Sequence, residues 1–199
     1  MYGYLFNCKN VPVSWRKGIL SDIANITMGQ SPDGASYNEN GDGCFFYQGS
    51  TDFGEIFPMA RVYTTQPTRM AYAMDTLLSV RAPVGTMNIA YEQCCIGRGL
   101  AAIHGSKDNN IFVRYLLRNN QWYFDNINNG GTTFGSLTKD NLYELPIYIP
   151  DFTLIQSFEQ KASPYEKIIY DNEKENRSLI SLRDWLLPML MNGQTTIDD

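Results

Sequence analysis

The chain has 199 residues, of which 43% are hydrophobic, 13% aromatic and 19% charged, and its formal net charge is −5. That length is ample for a real core, and the 10 Phe and 13 Tyr residues argue for a packed, β-rich body and against disorder. No apolar run approaches the roughly 18 residues needed to cross a bilayer, which excludes an integral membrane protein, and the start of the chain lacks the pattern of a secretory signal.

Charge is unevenly distributed along the chain. Between residues 61 and 118, seven basic residues stand against three acidic ones, which gives a local charge of +4. From residue 151 onward, five basic residues stand against nine acidic ones, which gives −4. The net charge alone argues against a nucleic-acid binder, but a mildly cationic body with an acidic tail is compatible with docking on phosphates.

Residues 14–150 are rich in Gly, Asn, Thr and aromatic residues, with short apolar runs between turn signals. The runs that predict strands are 44–47, 76–80, 89–91, 100–103 and 145–149. Turns are predicted at 31–34, 40–43 and 128–131. Apolar residues at helical spacing predict helices at 20–26 and 111–120. The pattern is typical of a mixed, strand-dominated domain.

After Pro150 the pattern becomes helical. Asp151 is a predicted N-cap, and Ser163-Pro164 predicts a fresh helix start with the proline at the first helical position. A helix from 164 to 191 would be roughly 40 Å long, at about 1.5 Å per residue. Its apolar stripe alternates spacings of three and four almost throughout, as in a heptad seam, and consists of Tyr165, Ile169, Asn172, Asn176, Leu179, Leu182, Leu186 and Met189.

Two interpretations of this tail are open: a helix packed against its own domain, or a coiled coil with another helix. The opposite face is heavily charged and a body of about 150 residues offers few places to bury so long a helix, so the pattern favours the coiled coil. Asparagine at a seam lowers stability but fixes register and partner number.

Cysteines and histidine carry no recognisable catalytic or metal pattern. Cys94 and Cys95 are adjacent and are predicted to be small buried hydrophobes in a strand, and the low cysteine content indicates a reducing cytoplasm. The single histidine, His104, is predicted to be an ordinary surface or hydrogen-bonded residue. The sequence has no Walker loop and no dinucleotide fingerprint, and it lacks the tetrapeptide of a base methyltransferase. A glycosidase built on two carboxylates stays open.

Seven segments of the chain form an ordered set of motifs: 15–23 with 29–32, 46–54, 75–86, 94–103, 130–134, 145–150 and 179–193. The most distinctive are Asp-Thr-Leu-Leu-Ser-Val-Arg-Ala-Pro-Val-Gly-Thr at 75–86 and Cys-Cys-Ile-Gly-Arg-Gly at 94–99. In this order the segments resemble a target-recognition domain of type I restriction-modification specificity subunits.

This resemblance implies an α+β fold: a strand-rich target-recognition domain followed by a long C-terminal helix that forms a coiled coil. The implied domains are a junction-like segment at 1–13, a DNA-binding domain at 14–150, a coiled-coil spacer at 151–193 and a flexible tail at 194–199. Family members resemble two tandem copies of this unit. One unit alone indicates a second-half segment, a half-length gene or an excised domain, and a homodimer through the helix would restore two readers.

The resemblance also implies a non-catalytic, cytoplasmic reader of double-stranded DNA that directs adenine methylation and restriction. Methylation subunits with S-adenosylmethionine and restriction subunits with ATP and Mg would assemble on it, so the chain itself is expected to hold no cofactor and no metal. The rival hypothesis is an assembly scaffold for a methyltransferase subunit without DNA reading of its own.

Polar and basic residues in loops are the candidate DNA contacts: Gln48, Ser50, Arg61, Arg69, Arg81, Arg98, Thr132 and Thr133. Gln48 is suited to adenine, unless it packs within the sheet, and Asp52 is predicted to cap a turn. Arg81 either contacts DNA or forms a salt bridge that fixes its turn. The glycines beside Arg98 either let it approach DNA or only permit a bend.

The remaining candidates also have alternatives. Arg61 and Arg69 flank a polar stretch at 63–68 that is either the recognition loop or a solvated loop. Thr132 and Thr133 follow a Gly-Gly turn that either contacts phosphate or is a plain β-turn with capping hydroxyls. The predicted coiled-coil interface is Tyr165, Ile169, Asn172, Asn176, Leu179, Leu182 and Leu186. The sequence leaves the target bases and the oligomeric state open.

Overall fold

The structure is a computed structural model that describes residue 12 and residues 15–129 and 136–193. The described strands are β1 (Arg16–Ile19), β2 (Ala24–Met28), β3 (Tyr37–Asn38), β4 (Cys44–Tyr47), β5 (Tyr63–Thr64), β6 (Met70–Ala71), β7 (Thr76–Ser79), β8 (Met87–Ile89), β9 (Cys94–Ile96), β10 (Leu100–Gly105) and β11 (Pro146–Ile149). The described α-helices are α1 (Asn110–Asn119), α2 (Gln121–Asn129), α3 (Lys139–Tyr143) and α4 (Phe152–Met191). The predicted segments 1–13 (except Pro12) and 194–199, and also Thr132 and Thr133, lie outside the described residues.

A four-stranded antiparallel sheet has the order β2-β10-β7-β8. Its central strand β10 pairs with β2 and with β7, so that Ala102 lies opposite Thr27 on one side and Leu77 on the other. β10 and β7 are almost entirely buried, which explains why both were predictable as short continuous apolar runs. The strands predicted at 76–80 and 100–103 correspond to β7 and β10, whereas the strand predicted at 89–91 overlaps β8 only at Ile89.

A second sheet has the order β3-β5-β4-β9-β6 and includes one parallel pair, β4 with β9. Buried side chains from this sheet and the first one form one cluster: Tyr47, Ala71, Leu77, Ala90, Cys94, Ile96, Leu100 and Ala102. Cys94 and Cys95 are fully buried in β9, as predicted. Burial raises the pKa of the Cys94 thiol far above its ordinary value.

The third sheet pairs β1 with β11, and Arg16 lies opposite Ile149. It joins the start of the described domain to its end. The backbone N–H of Leu20 continues the contact by donating to the carbonyl of Leu145 at 3.0 Å.

The helix predicted at 20–26 is wrong. Leu20–Asp22 forms a single 3-10 turn, and Ala24–Met28 is the edge strand β2. Ala24 and Ile26 are buried while Asn25 between them is exposed, which is the period of two of a half-buried strand. Pairing with β10 therefore overrides the local spacing. The helix predicted at 111–120 is α1, displaced by one residue.

The predicted helix restart at 163–164 is also wrong, because α4 runs without interruption from Phe152 to Met191 with Pro164 inside it. A proline removes one backbone hydrogen bond, at a cost of about 3 kcal/mol in a helix interior, and the long helix continues on both sides of that loss. Directly before the helix lies Asp151, the predicted N-cap, whose carbonyl accepts from Leu154 and Ile155.

The described chain divides into two compact units, one ending at Glu159 and the other beginning at Gln160. In the first unit, the start of α4 packs on α1: the ring of Phe158 lies 5.6 Å from that of Tyr115 and 6.3 Å from that of Phe112, both edge-on. The backbone N–H of Phe112 donates to the Glu159 carboxylate at 2.7 Å. The domain boundary at 150 stays a prediction.

In the second unit, the predicted seam is largely accessible. Tyr165, Leu179 and Leu182 are 70%, 55% and 49% exposed, and Trp185 on the same helix is 61% exposed. The other seam positions are Asn172 and Asn176, which are exposed, and Ile169 and Leu186, which are half-buried. Ion pairs on this helix join Lys167 to Asp171 and Arg177 to Glu173. Within the described residues, no helix has the length and apolar character required to cross a membrane.

Candidate nucleic-acid interface

A surface cleft of about 260 Å³ lies where the loops that follow β2, β4, β7 and β9 meet. Four of the predicted DNA contacts line this cleft: Gln48, Ser50, Arg81 and Arg98. The other lining residues are Ser31, Gly49, Thr51, Ala82 and Gly99. The fold therefore brings together residues that lie up to 67 positions apart in the sequence, since the Arg98 backbone N–H donates to the Ser31 hydroxyl oxygen at 3.4 Å.

Asp52 holds the loop that follows β4. Its carboxylate is buried and accepts from the backbone N–H of Gln48 at 2.8 Å and from that of Gly49 at 3.4 Å. The same carboxylate forms an ion pair with Arg61. Asp52 is thus the turn-capping residue that the sequence predicted. The alternative that Gln48 packs within the sheet is wrong, because its side chain is exposed at the cleft.

Gly97 and Gly99 allow two loops to lie in direct backbone contact. The N–H of Gly97 donates to the Tyr47 carbonyl at 2.8 Å, and that of Gly99 donates to the Gln48 carbonyl at 3.1 Å. A Cβ on Gly99 would lie 2.6 Å from the Gln48 carbonyl oxygen, which no side chain tolerates without a shift of the backbone. These glycines therefore serve close approach, and this approach fixes where the chain presents Arg98.

The turn that carries Arg81 is fixed by groups other than its own side chain. The backbone N–H of Val80 donates to the Gly99 carbonyl at 2.9 Å, which ties this turn to the loop of Arg98. The side-chain amide of Asn128 bonds both the N–H and the carbonyl of Val84, each at 2.9 Å. None of the ion pairs among the described residues includes Arg81, so the predicted salt bridge is not found there.

The cleft is cationic. Arg81 and Arg98 are exposed, neither forms an ion pair within the described residues, and no described lining residue is acidic. The hydroxyls of Ser31, Ser50 and Thr51 add neutral donors beside the two guanidinium groups. Together these groups suit an anion with several acceptor oxygens, because guanidinium binds such groups in a bidentate way.

Arg61 and Arg69 do not line the cleft. Arg61 is engaged by Asp52 and also donates to the Thr51 carbonyl at 3.5 Å, so it braces the loop that forms one wall. Arg69 is exposed, and its carbonyl accepts from the Ile96 N–H at 2.9 Å. DNA contact by either residue stays a prediction.

The polar stretch at 63–68 was predicted to be a loop, but its first two residues form a strand. Tyr63 and Thr64 form β5, which pairs with β3 on one side and with β4 on the other, and Thr64 is fully buried. The Thr64 hydroxyl bonds that of Ser36 at 2.7 Å. Only residues 65–69 are exposed, because the hydroxyl of Thr64 finds a buried partner and its backbone completes the sheet.

His104 is hydrogen-bonded, as predicted. Its Nδ1 lies 2.6 Å from a carboxylate oxygen of Asp75, which is buried, and the other oxygen of that carboxylate accepts from the Tyr72 N–H at 2.8 Å. The pair connects β10 to the residue that precedes β7. It lies in the four-stranded sheet and does not line the cleft.

Five lining residues were not among the predicted contacts: Ser31, Gly49, Thr51, Ala82 and Gly99. Ser31 was identified only as part of a turn, although its hydroxyl lies beside the backbone of Arg98. Thr51 lies between Ser50, which was predicted, and Asp52, so its neighbours carried the signal. Ala82 has no chemistry that a sequence pattern could reveal.

A model of the domain family described as "Type I restriction modification DNA specificity domain" matches residues 12–161. The chain is 34% identical over 191 residues to the type I restriction enzyme MjaX specificity subunit of Methanocaldococcus jannaschii, covering 94% of this chain and 45% of that protein. It is 25% identical to the HindI specificity subunit of Haemophilus influenzae, covering 92% and 42%.

Among solved structures, the HsdS subunit from Thermoanaerobacter tengcongensis superposes with a TM-score of 0.67 at 29% identity, over 90% of this chain and 45% of that one. The chain thus spans less than half the length of the curated relatives it matches. The family model, which matches residues 12–161, covers the strand-rich domain and the start of the long helix α4.

Proposed function

This chain belongs to the type I restriction-modification DNA specificity family, and from this membership we propose that it reads a specific sequence in double-stranded DNA. The observation that carries the proposal is the cleft in which Arg81 and Arg98 are presented without an ion-pair partner among the described residues. A cationic site of this kind supplies the phosphate attraction on which DNA binding depends. It also contains Gln48, whose amide can bond an adenine edge.

Catalysis belongs, in this proposal, to partner subunits. The chain directs a methylation subunit that uses S-adenosylmethionine, and a restriction subunit that uses ATP and Mg, to adenines in its target, and it binds no cofactor itself. Its place of action is the cytoplasm, where the genome is. The membership in a DNA specificity family supports this division of labour.

The second unit is proposed to pair with another helix. The support is the accessible apolar seam, in which Tyr165, Leu179 and Leu182 are exposed. Another specificity helix, from a second copy or from a tandem repeat, would cover these side chains.

Sedimentation equilibrium tests this pairing. The wild-type chain is expected to dimerise, and Leu182→Asp is expected to shift the equilibrium toward monomer. The control Lys167→Asp changes the charged face of the helix and is expected to keep the dimer. A monomeric wild-type chain at about 100 μM would contradict homodimer formation.

DNA reading is tested by selecting bound duplexes from a random pool with the purified chain, in the presence and absence of the methylation subunit. The expected result is a recurrent short motif whose duplex binds more tightly than a scrambled duplex, with affinity that falls steeply as salt rises. Enrichment of no motif in either arm would contradict sequence recognition.

The scaffold hypothesis differs in where the partner subunit is bound. The exposed seam of α4 is the observation that favours it, since a scaffold needs an accessible apolar surface. In a pull-down with the methylation subunit, Arg81→Gln/Arg98→Gln is expected to retain the partner and lose DNA. A wild-type complex that binds DNA no better than the methylation subunit alone would favour the scaffold.

A further inference from the structure

The two arginines lie in a concave surface, which suits contact with a protruding group of the DNA better than contact with base edges. Base edges lie at the floor of a groove, so direct readout requires an element that projects into the groove. A concave site instead accepts a group that protrudes from the duplex, and the phosphates are such groups.

The groups that line the cleft are also those that bind phosphate. Two guanidinium groups stand beside hydroxyls from Ser31, Ser50 and Thr51. The Ser31 oxygen accepts from the Arg98 backbone, which leaves its own O–H available as a donor. Hydroxyls and arginines of this kind make most contacts to the DNA backbone, where they set position without reading sequence.

The cleft is held rigidly enough to act as a fixed clamp. Backbone hydrogen bonds tie the three loops of Gln48, Arg81 and Arg98 together, from Gly99 to Gln48 at 3.1 Å and from Val80 to Gly99 at 2.9 Å. The two arginines therefore start from positions that do not depend on each other's side chains. Both side chains line the same cleft, and this common location is the basis for assigning them to one phosphate.

We propose that Arg81 and Arg98 clamp one backbone phosphate of the DNA duplex, so that these two residues set the position of the chain on the duplex and base discrimination lies with other residues. This inference rests on the proposed function and makes it more specific. It assigns Arg81 to phosphate contact, where the sequence had distinguished only between contact with DNA and a salt bridge, and it assigns these two arginines to the part of the affinity that is independent of sequence.

The test measures fluorescence anisotropy of the full-length chain with a selected duplex and with a scrambled duplex, across a salt series. Arg81→Gln and Arg98→Gln are each expected to weaken binding about tenfold to a hundredfold on both duplexes, leaving the ratio of the two affinities unchanged. The matched control is Arg16→Gln, which removes the same charge from an exposed arginine on β1 that pairs with Asp22 and does not line the cleft. Its affinity is expected to stay within about threefold of wild type.

Salt dependence tests whether one phosphate is shared. Log affinity falls as log salt rises, and each phosphate contact makes this fall steeper. If both arginines neutralise the same phosphate, the double variant should make the slope shallower than that of wild type by about one unit, rather than by about two. A scan of single neutral methylphosphonates along the selected duplex should find one position at which wild type loses affinity and the double variant does not. Circular dichroism checks that each variant folds, and Arg98→Lys should restore part of the affinity.

The outcomes separate the two proposals. If Arg81→Gln and Arg98→Gln lose affinity for the selected duplex alone, the arginines belong to base readout and the clamp is overturned, while sequence recognition stands. A wild-type chain that binds selected and scrambled duplexes equally would end the proposed reading function, and equal losses in the arginine variants would still support the clamp. Variants indistinguishable from Arg16→Gln, or no binding of any duplex at low salt, would overturn the clamp.

Discussion

Substitution of Asp52 should destabilise the first unit, because one buried carboxylate satisfies several donors at the wall of the cleft. The Asp52 side chain is 8% exposed and that of Arg61 is 59% exposed. In Asp52→Ala, the Gln48 N–H loses a 2.8 Å bond to a charged acceptor and the Gly49 N–H loses a weaker one at 3.4 Å. A bond to a charged group contributes about 1.5–3 kcal/mol, and an exposed ion pair adds at most about 1 kcal/mol.

The expected loss in the free energy of unfolding is therefore about 2–4 kcal/mol for Asp52→Ala. It is less than about 1 kcal/mol for Arg61→Ala, because the deleted guanidinium is largely exposed and the Asp52 carboxylate keeps its two backbone donors. Asp52→Asn keeps an acceptor oxygen without its charge and should lie between these values. Urea unfolding followed by circular dichroism measures all three variants, with the denaturant slope serving as a check that the unfolded state is unchanged.

Two results would refute this reasoning. If Asp52→Ala lies within about 0.5 kcal/mol of wild type, the backbone donors of Gln48 and Gly49 do not depend on the carboxylate. If Arg61→Ala costs as much as Asp52→Ala, the ion pair rather than the turn carries the stability. In thermal unfolding the expected loss corresponds to a fall in Tm of roughly 4–16 °C for a chain of this size.

Three further predictions follow from packing and ionisation. Gly99→Ala should lower the free energy of unfolding, measured with urea, by about 1–3 kcal/mol, because the new Cβ would lie 2.6 Å from a backbone oxygen. Gly34→Ala, whose Cβ would meet nothing within 4 Å, should change this free energy by less than about 0.5 kcal/mol. Equal effects of the two substitutions would contradict the close approach at Gly99. Phe158→Ala should cost about 3–5 kcal/mol in the same assay through the lost contact with the rings of α1, and a loss below about 1 kcal/mol would mean that the start of α4 is not docked. Burial raises the pKa of the Cys94 thiol, so the unfolded chain releases this proton more readily than the folded one. The contribution of the Cys94 thiol to the free energy of unfolding is therefore complete below about pH 8.5, and above that pH it falls by up to about 1.4 kcal/mol per pH unit. In urea unfolding between about pH 8 and 10, Cys94→Ala should lack this decline with pH. If the free energy of unfolding has the same pH dependence in wild type and Cys94→Ala, the prediction is refuted.

The core strands could be predicted because burial on both faces leaves a signal within a few consecutive residues of the sequence. β7 and β10 are buried on both faces, so each is a short continuous apolar run between turn signals. The edge strand β2 could not be predicted in this way. Ile23 and Ile26 are three positions apart, as on a helix, and only the pairing of Ile26 with Ile103, far along the chain, makes this segment a strand.

The cleft was predictable in its residue types but not in its assembly. Gln48, Ser50, Arg81 and Arg98 were chosen because polar and basic residues in loops suit DNA, and three separate loops bring them together. Their common location depends on backbone contacts between distant segments, such as Gly99 with Gln48, which no local pattern encodes. For the same reason the sequence did not reveal that Arg61 forms an ion pair with Asp52.

The pairing of β1 with β11 has a consequence for synthesis in the cell. Arg16 meets Ile149, so the first described strand finds its partner only after about 130 further residues have been made. At about 5–20 residues per second, the ribosome needs roughly 7 to 27 seconds to add them, plus the time for β11 to leave the exit tunnel. During that interval the nascent β1 has an unpaired edge, and a stalled or prematurely terminated chain would keep it, which makes incomplete products natural clients for chaperones and proteases.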